Sequence, residues 1–246
     1  KLLKKEEKEV AGEVKNIIFD VGQVLVSYDW ESYLKAFHFS AEEEKLIAEK
    51  VFKSQIWNER DRGLFPEEEY RKQFIAALPG RKILLRGNHD RFWNKTNKTE
   101  KLNELFADKL FFLQDNFYEY TDEKGGKKYA LIGSKGFSTD NYCFLAADKI
   151  EKRFDNECKR MTKSYEAAKK AGYNDFVMFL HYPPTNMYEE EGVFTKLAQE
   201  FKVEQVVYSH LHGKERFDYS LAGEIKGIKY TLVSADYLDF VPKLIM

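Results

Sequence analysis

Asn88, His89, Asp90, His181, His210 and His212 all stand just beyond short apolar runs, and their side chains are of the kinds that bind metal ions or move protons. KILL runs into Arg86-Gly87-Asn88-His89-Asp90, FVMFL into His181-Tyr182-Pro183-Pro184, and VEQVVY into Ser209-His210-Leu211-His212-Gly213. These segments hold four of the five histidines in the chain. Asn88, His181, His210 and His212 supply an amide oxygen and imidazoles. Imidazole suits zinc, iron and manganese, and amide or carboxylate oxygens suit the harder of these ions. His210 and His212 are two residues apart, which on an extended segment puts both side chains on one face, each able to reach one of two adjacent ions. His89 directly follows Asn88, points elsewhere and is placed to donate a proton, with Asp90 as a carboxylate to orient it.

The elements that carry these residues read as buried strands, because short Val/Ile/Leu/Phe runs bounded by turn residues fit a sheet covered on both faces. Sites in open α/β sheets form beyond the carboxyl ends of the strands, where these histidines collect. The pattern predicts strands at 82–85, 110–120 (in short pieces), 128–133, 175–180 and 204–208, with a last extended stretch at 228–234. Helices are predicted over much of 30–78, near 99–107, over 144–171 and at 193–201. Ser40-Ala41-Glu42-Glu43 offers a capping box, and Pro66 opens another helix. Asn16-Ile17-Ile18-Phe19-Asp20 reads as a further short strand ending on a carboxylate. Strands alternating with helices place the chain in the α/β class.

Composition narrows the partners. The 246 residues can bury one full core, and 43% hydrophobic with 15% aromatic content describes a folded chain. With 40 basic and 41 acidic residues the net charge is −1, which argues against nucleic acid as the main partner. The 2 cysteines, Cys143 and Cys158, are too few for a disulfide scaffold and suit a reducing compartment. No apolar stretch approaches the roughly 20 residues of a membrane span, so the sequence points to a cytoplasmic protein with no membrane partner.

Gly87-Asn88-His89-Asp90, the strand-end His181 and His210-Leu211-His212, in this order, resemble the motifs of the calcineurin-like metallophosphoesterases. The likeness runs from about residue 78 to 246 and takes in LPGRKILLRGNHDRFWN, ALIGSKGF, FLHYPPTN, VYSHLHG and YTLVSADYLDF. It implies a layered sheet with flanking helices and a metal-dependent hydrolase acting on a small phosphate ester. The implied cofactor is one or two divalent ions, Mn, Fe or Zn, with Mg as an option. By the same resemblance Asn88, His181 and His210 hold one ion and His212 the other, while His89, with Asp90 beside it, is the general acid.

Two departures stand out. Ser209 occupies the place where the family's last motif usually opens with glycine. The family's opening Asp-x-His and Gly-Asp strand ends, the second of which supplies a bridging carboxylate, do not occur before residue 78. IIFDVGQVLVSYDWESYL and WNERDRGLFPEEEY, over Lys15 to about Phe74, resemble instead the opening of a haloacid-dehalogenase-like hydrolase, in which Asp20 would be the nucleophile assisted by Mg²⁺. The later motifs of that family are missing, and Asp218, in a polar stretch, cannot replace them. The chain thus divides into a charged tail (1–14), an atypical N-terminal segment (15–77) and a phosphoesterase-like region (78–246). Asp20 is either a metal ligand or a turn-capping residue. A phosphatase working through Asp20 and a non-catalytic metal-binding remnant are the rival readings. With Asp20 as the sole strand-end carboxylate, ligand counting favours one ion at Asn88, His181 and His210, and weakened activity.

Overall fold

The structure, a computed structural model, describes residues 30–35, 37, 39–61, 70, 73–74, 77, 81–88, 90, 110–122, 125–138, 146–187, 189–239 and 243–245. The expected strand at 16–20, the start of the helix at Pro66 and the helix near 99–107 lie outside them, as do Asp20, His89 and Cys143, while Tyr70, Gln73, Phe74 and Ala77 are helical as expected.

Among the described residues the N-terminal part is helical. It contains α1 (Trp30–Lys35), α2 (Ala41–Ile47), a π-helical turn (Ala48–Phe52) and α3 (Gln55–Asp61). Ser40 caps α2 as its sequence predicts: its Oγ accepts from the Glu43 N–H at 3.3 Å, and the Glu43 carboxylate accepts from the Ser40 N–H at 2.8 Å.

The rest is built on β-strands. β1 (Lys82–Leu85) and β2 (Leu110–Leu113) pair in parallel, and β3 (Phe117–Thr121) follows β2 after a break at Gln114-Asp115-Asn116. β4 (Lys128–Ser134), α4 (Ala147–Lys170), β5 (Phe176–Leu180), α5 (Val193–Glu200) and β6 (Gln205–Tyr208) then alternate. A short helix α6 (Lys214–Asp218) and strand β7 (Gly223–Ile225) precede β8 (Ile228–Leu232). The larger sheet has the order β3-β4-β5-β6-β8-β7, with β4, β5, β6 and β8 parallel and the outer strands antiparallel. Asp218 ends α6 in solvent, away from any strand end.

Side-chain alternation divides this sheet's two faces. Ala130, Ile132, Phe176, Met178, Leu180, Val206 and Tyr230 bury against Met161 and Ala168 of α4 and Phe194 and Ala198 of α5. Leu131, Val177 and Val207 turn the other way, with Ile83 of β1 packed against them. The order is therefore helices, sheet, second sheet. Burial of each large apolar side chain contributes on the order of 1.5–3 kcal/mol. Gly133 permits the close approach of the layers: a Cβ there would lie 2.7 Å from a Leu113 methyl, 3.1 Å from a Leu85 methyl and 3.0 Å from the Phe179 carbonyl. Its N–H donates to Ser164 Oγ at 3.0 Å, tying β4 to α4.

The short α6 and β7 are not anticipated by the sequence pattern. Their 5 and 3 residues are too few to show a period.

Candidate functional site

Register brings the site together. Ser134 pairs with Leu180, Leu180 with Tyr208, and Tyr208 with Leu232, so the parallel strands end level. Hydrogen bonds continue past those ends. The Lys135 carbonyl accepts from the N–H groups of His181 (3.1 Å) and Tyr182 (3.0 Å), the His181 carbonyl from Ser209 (3.3 Å), and the Tyr208 carbonyl from Val233 (2.8 Å). His181 thus leaves the sheet one residue past β5 and His210 two past β6, while Asn88 comes from the second sheet, three residues past β1.

These three side chains meet. His181 Nε2 lies 2.9 Å from Asn88 Oδ1 and 3.0 Å from His210 Nδ1. A neutral imidazole nitrogen carries either one proton or one lone pair, so Nε2 cannot satisfy both neighbours by hydrogen bonding if the Asn88 oxygen faces it. If Nε2 carries the lone pair it faces the Asn88 oxygen lone pair to lone pair, and if it carries the proton it can donate fully to only one of the two. A cation bound to all three atoms removes that conflict. The donor set, two imidazoles and an amide oxygen, fits Zn, Fe or Mn. Among the described residues no three His, Cys, Asp or Glu side chains cluster as a metal site, and here the third donor is the Asn88 amide.

Local structure explains the loop residues. The Gly87 N–H donates to Asp90 Oδ2 at 2.6 Å, closing the loop that carries Asn88. A Cβ on Gly87 would sit 3.1 Å from that oxygen and 3.4 Å from His181 Cε1, so glycine lets the loop reach the imidazole. This is the contact described for Asp90; its expected partner His89 lies outside the described residues. Ser209 needs no glycine, because the left-handed backbone falls on His210, at φ 72°. The buried Tyr182 ring packs against both imidazoles, with ring centres 5.1 Å from His181 and 4.3 Å from His210. Pro183 and Pro184 are buried and fix the chain after it.

His212 is engaged differently. Its side chain is 70% exposed, and Nδ1 lies 2.9 Å from Asp236 Oδ1, whose other oxygen accepts from the Gly213 N–H at 3.0 Å. Partial burial pushes the Asp236 carboxyl up, but the Gly213 N–H and the His212 imidazole outweigh it and hold the group below the usual carboxylate range. Asp236 has no place among the residues selected from the sequence. A signal was present: Tyr230-Thr231-Leu232-Val233 is another apolar run, in a strand beside β6, and Asp236 stands four residues past its end.

Lys135, one residue past β4, completes this edge. Burial pushes its ammonium down and Glu157 pulls it back up, while Arg86, Arg153 and Arg160 push it down further. The Glu157 carboxyl is pushed up by burial, against the pull of Lys135, Arg160 and Arg86.

The sequence profile of the calcineurin-like phosphoesterase family matches residues 60–214. That match begins inside the N-terminal segment set apart by the sequence reading and stops short of Asp236. No curated protein matches the chain. Among solved structures, TT1561 of Thermus thermophilus is similar at 11% identity and a TM-score of 0.32. The alignment covers 59% of this chain and 62% of that one. No helix among the described residues is long and apolar enough to cross a membrane.

Proposed function

The chain belongs to the calcineurin-like phosphoesterase family, and from that premise we propose that it is a metal-dependent hydrolase of small phosphate esters in which Asn88, His181 and His210 hold a divalent ion. The observation that carries this reading is the crowding of two further donor atoms around His181 Nε2, at 2.9 and 3.0 Å. Mn, Fe or Zn bound there would supply Lewis acidity toward a phosphoryl oxygen and a water acidic enough to serve as nucleophile.

The chain's own residues supply the rest. Tyr182 walls the two imidazoles and limits their rotation. Asp236 is a positioning residue: by accepting from Nδ1 it fixes the His212 tautomer with the Nε2 lone pair directed outward, ready for a second ion. His89 is the general acid, giving its proton to the leaving-group oxygen as the ester bond breaks. Gly87 and Asp90 hold the loop that presents Asn88.

The test is direct. Protein stripped with a chelator and reloaded with Mn²⁺ or Zn²⁺ is assayed on p-nitrophenyl phosphate and bis(p-nitrophenyl) phosphate. Metal-stimulated release of nitrophenol that disappears in His181→Ala is expected. Absence of hydrolysis by metal-loaded protein on either ester would overturn the assignment.

A further inference from the structure

We propose that Lys135 is a substrate-binding residue of this site, its ammonium taking an anionic oxygen of the phosphoryl group; the inference rests on the phosphoester reading above. Four observations carry it. Lys135 is fixed to the site through its backbone, since its carbonyl accepts from both His181 and Tyr182. The turn that follows is pressed against the same loop: the Gly136 N–H donates to Ser134 Oγ at 3.1 Å, and a Cβ on Gly136 would lie 3.6 Å from Tyr182 Cβ.

The side chain is held there too. Lys135 Nζ sits 5.4 Å from the centre of the Tyr182 ring, the ring that packs on His210. The ammonium and the His210 imidazole thus pack on the same aromatic side chain, which puts this cation beside the imidazoles proposed to hold the metal.

Among the described residues the ammonium also has no paired carboxylate within 4.0 Å. It is partly buried. Removing an ammonium from water without a counter-ion is costly.

The last observation is the sign of the surroundings. Arg86, Arg153 and Arg160 are near enough to repel Lys135, against a single attracting acid, Glu157. Arg160 is itself 3.1 Å from Asp115 and 3.9 Å from Glu157, so that acid is already shared. Asp90 acts on Arg86. Among the described residues the charges acting on Lys135 are thus mainly positive, and a doubly charged phosphate would offset that repulsion. A purely structural lysine would instead be expected to close its contact with Glu157.

The experiment uses the full chain loaded with Mn²⁺ and inorganic phosphate as probe. Lys135→Gln is expected to raise the phosphate Kd and the KM for p-nitrophenyl phosphate about 10-fold or more, with Mn²⁺ content unchanged, and Lys135→Arg to restore much of both. Phosphate should also protect Lys135 of the unmutated protein from acetylation, read by mass spectrometry, which keeps the test valid if Lys135→Gln folds poorly. Hydrolysis by the unmutated protein, with no effect of Lys135→Gln and no protection, overturns the role of Lys135 alone. Lys135-dependent phosphate binding without hydrolysis supports it while overturning the hydrolase reading. No phosphate binding with hydrolysis retained overturns the role of Lys135 alone, and neither binding nor hydrolysis by the metal-loaded protein overturns both.

Discussion

His212 Nδ1 and Asp236 Oδ1 stand 2.9 Å apart, and the second carboxylate oxygen of Asp236 is held by the backbone of the residue that follows His212. A carboxylate clamped in this way orients an imidazole. It also contributes negative charge beside it without occupying the imidazole's second nitrogen.

Asp236→Asn should therefore weaken metal binding at His212 by about 10- to 100-fold, the usual cost of losing such a partner. Binding at Asn88, His181 and His210 should be little changed. Metal content measured by elemental analysis over a series of free Mn²⁺ concentrations checks this: the weaker of two binding steps should shift alone. Equal loss of both steps, or of neither, would contradict the separate roles.

His181→Ala should do more, since His181 is the residue that touches both other donors of the trio. Loss of tight metal binding and of metal-stimulated hydrolysis is expected, with the circular dichroism spectrum retained. His89→Ala should leave metal content intact and lower kcat by about 10²- to 10⁴-fold, the range for a general acid. Its effect should shrink on esters with good leaving groups.

Gly133→Ala probes the packing of the two sheets. The added methyl meets Leu113, Leu85 and the Phe179 carbonyl, all at or within 3.1 Å. Overpacking of this kind costs about 1–3 kcal/mol, which thermal denaturation would register as a lower Tm.

Alkaline pH should loosen the fold in two stages. Burial, with Asp155 and Glu157 behind it, pushes the Cys158 thiol from 9.0 to about 11, and burial pushes the Tyr208 phenol from 10.0 to about 12. Both groups hold their protons more tightly folded than unfolded. Their stabilisation is complete below the unfolded values and is lost as pH rises through the folded ones. Tyr208 is 1% exposed, so its share is roughly 2–3 kcal/mol. Urea denaturation between pH 8 and 12 should show falling stability, and Cys158→Ala should remove the part that begins near pH 9.

Much of this was legible before any coordinates. The runs KILL, FVMFL and QVVY are strands because their residues are apolar on both faces, and each stops where polar residues begin. Of the five residues the sequence offered as metal ligands, Asn88, His181 and His210 lie together, His212 contacts Asp236, and Asp20 is outside the described residues. Asp236 escaped notice because three residues separate it from the end of β8, and a side chain that returns across a loop leaves no period in the sequence. Lys135 escaped for a different reason: a single lysine after a strand is common, and its significance comes from register with His181, which only strand pairing reveals.

The left-handed backbone of His210, φ 72°, sets usefulness against durability at one position. An imidazole-bearing residue is held there in a conformation that asparagine or glycine adopts at lower cost. A population of variants selected for resistance to heat alone should drift toward Asn or Gly at 210 and lose its donor trio in doing so. Selection for turnover would hold the histidine in place. Sequencing the survivors of the two regimes side by side would show the divergence at that codon.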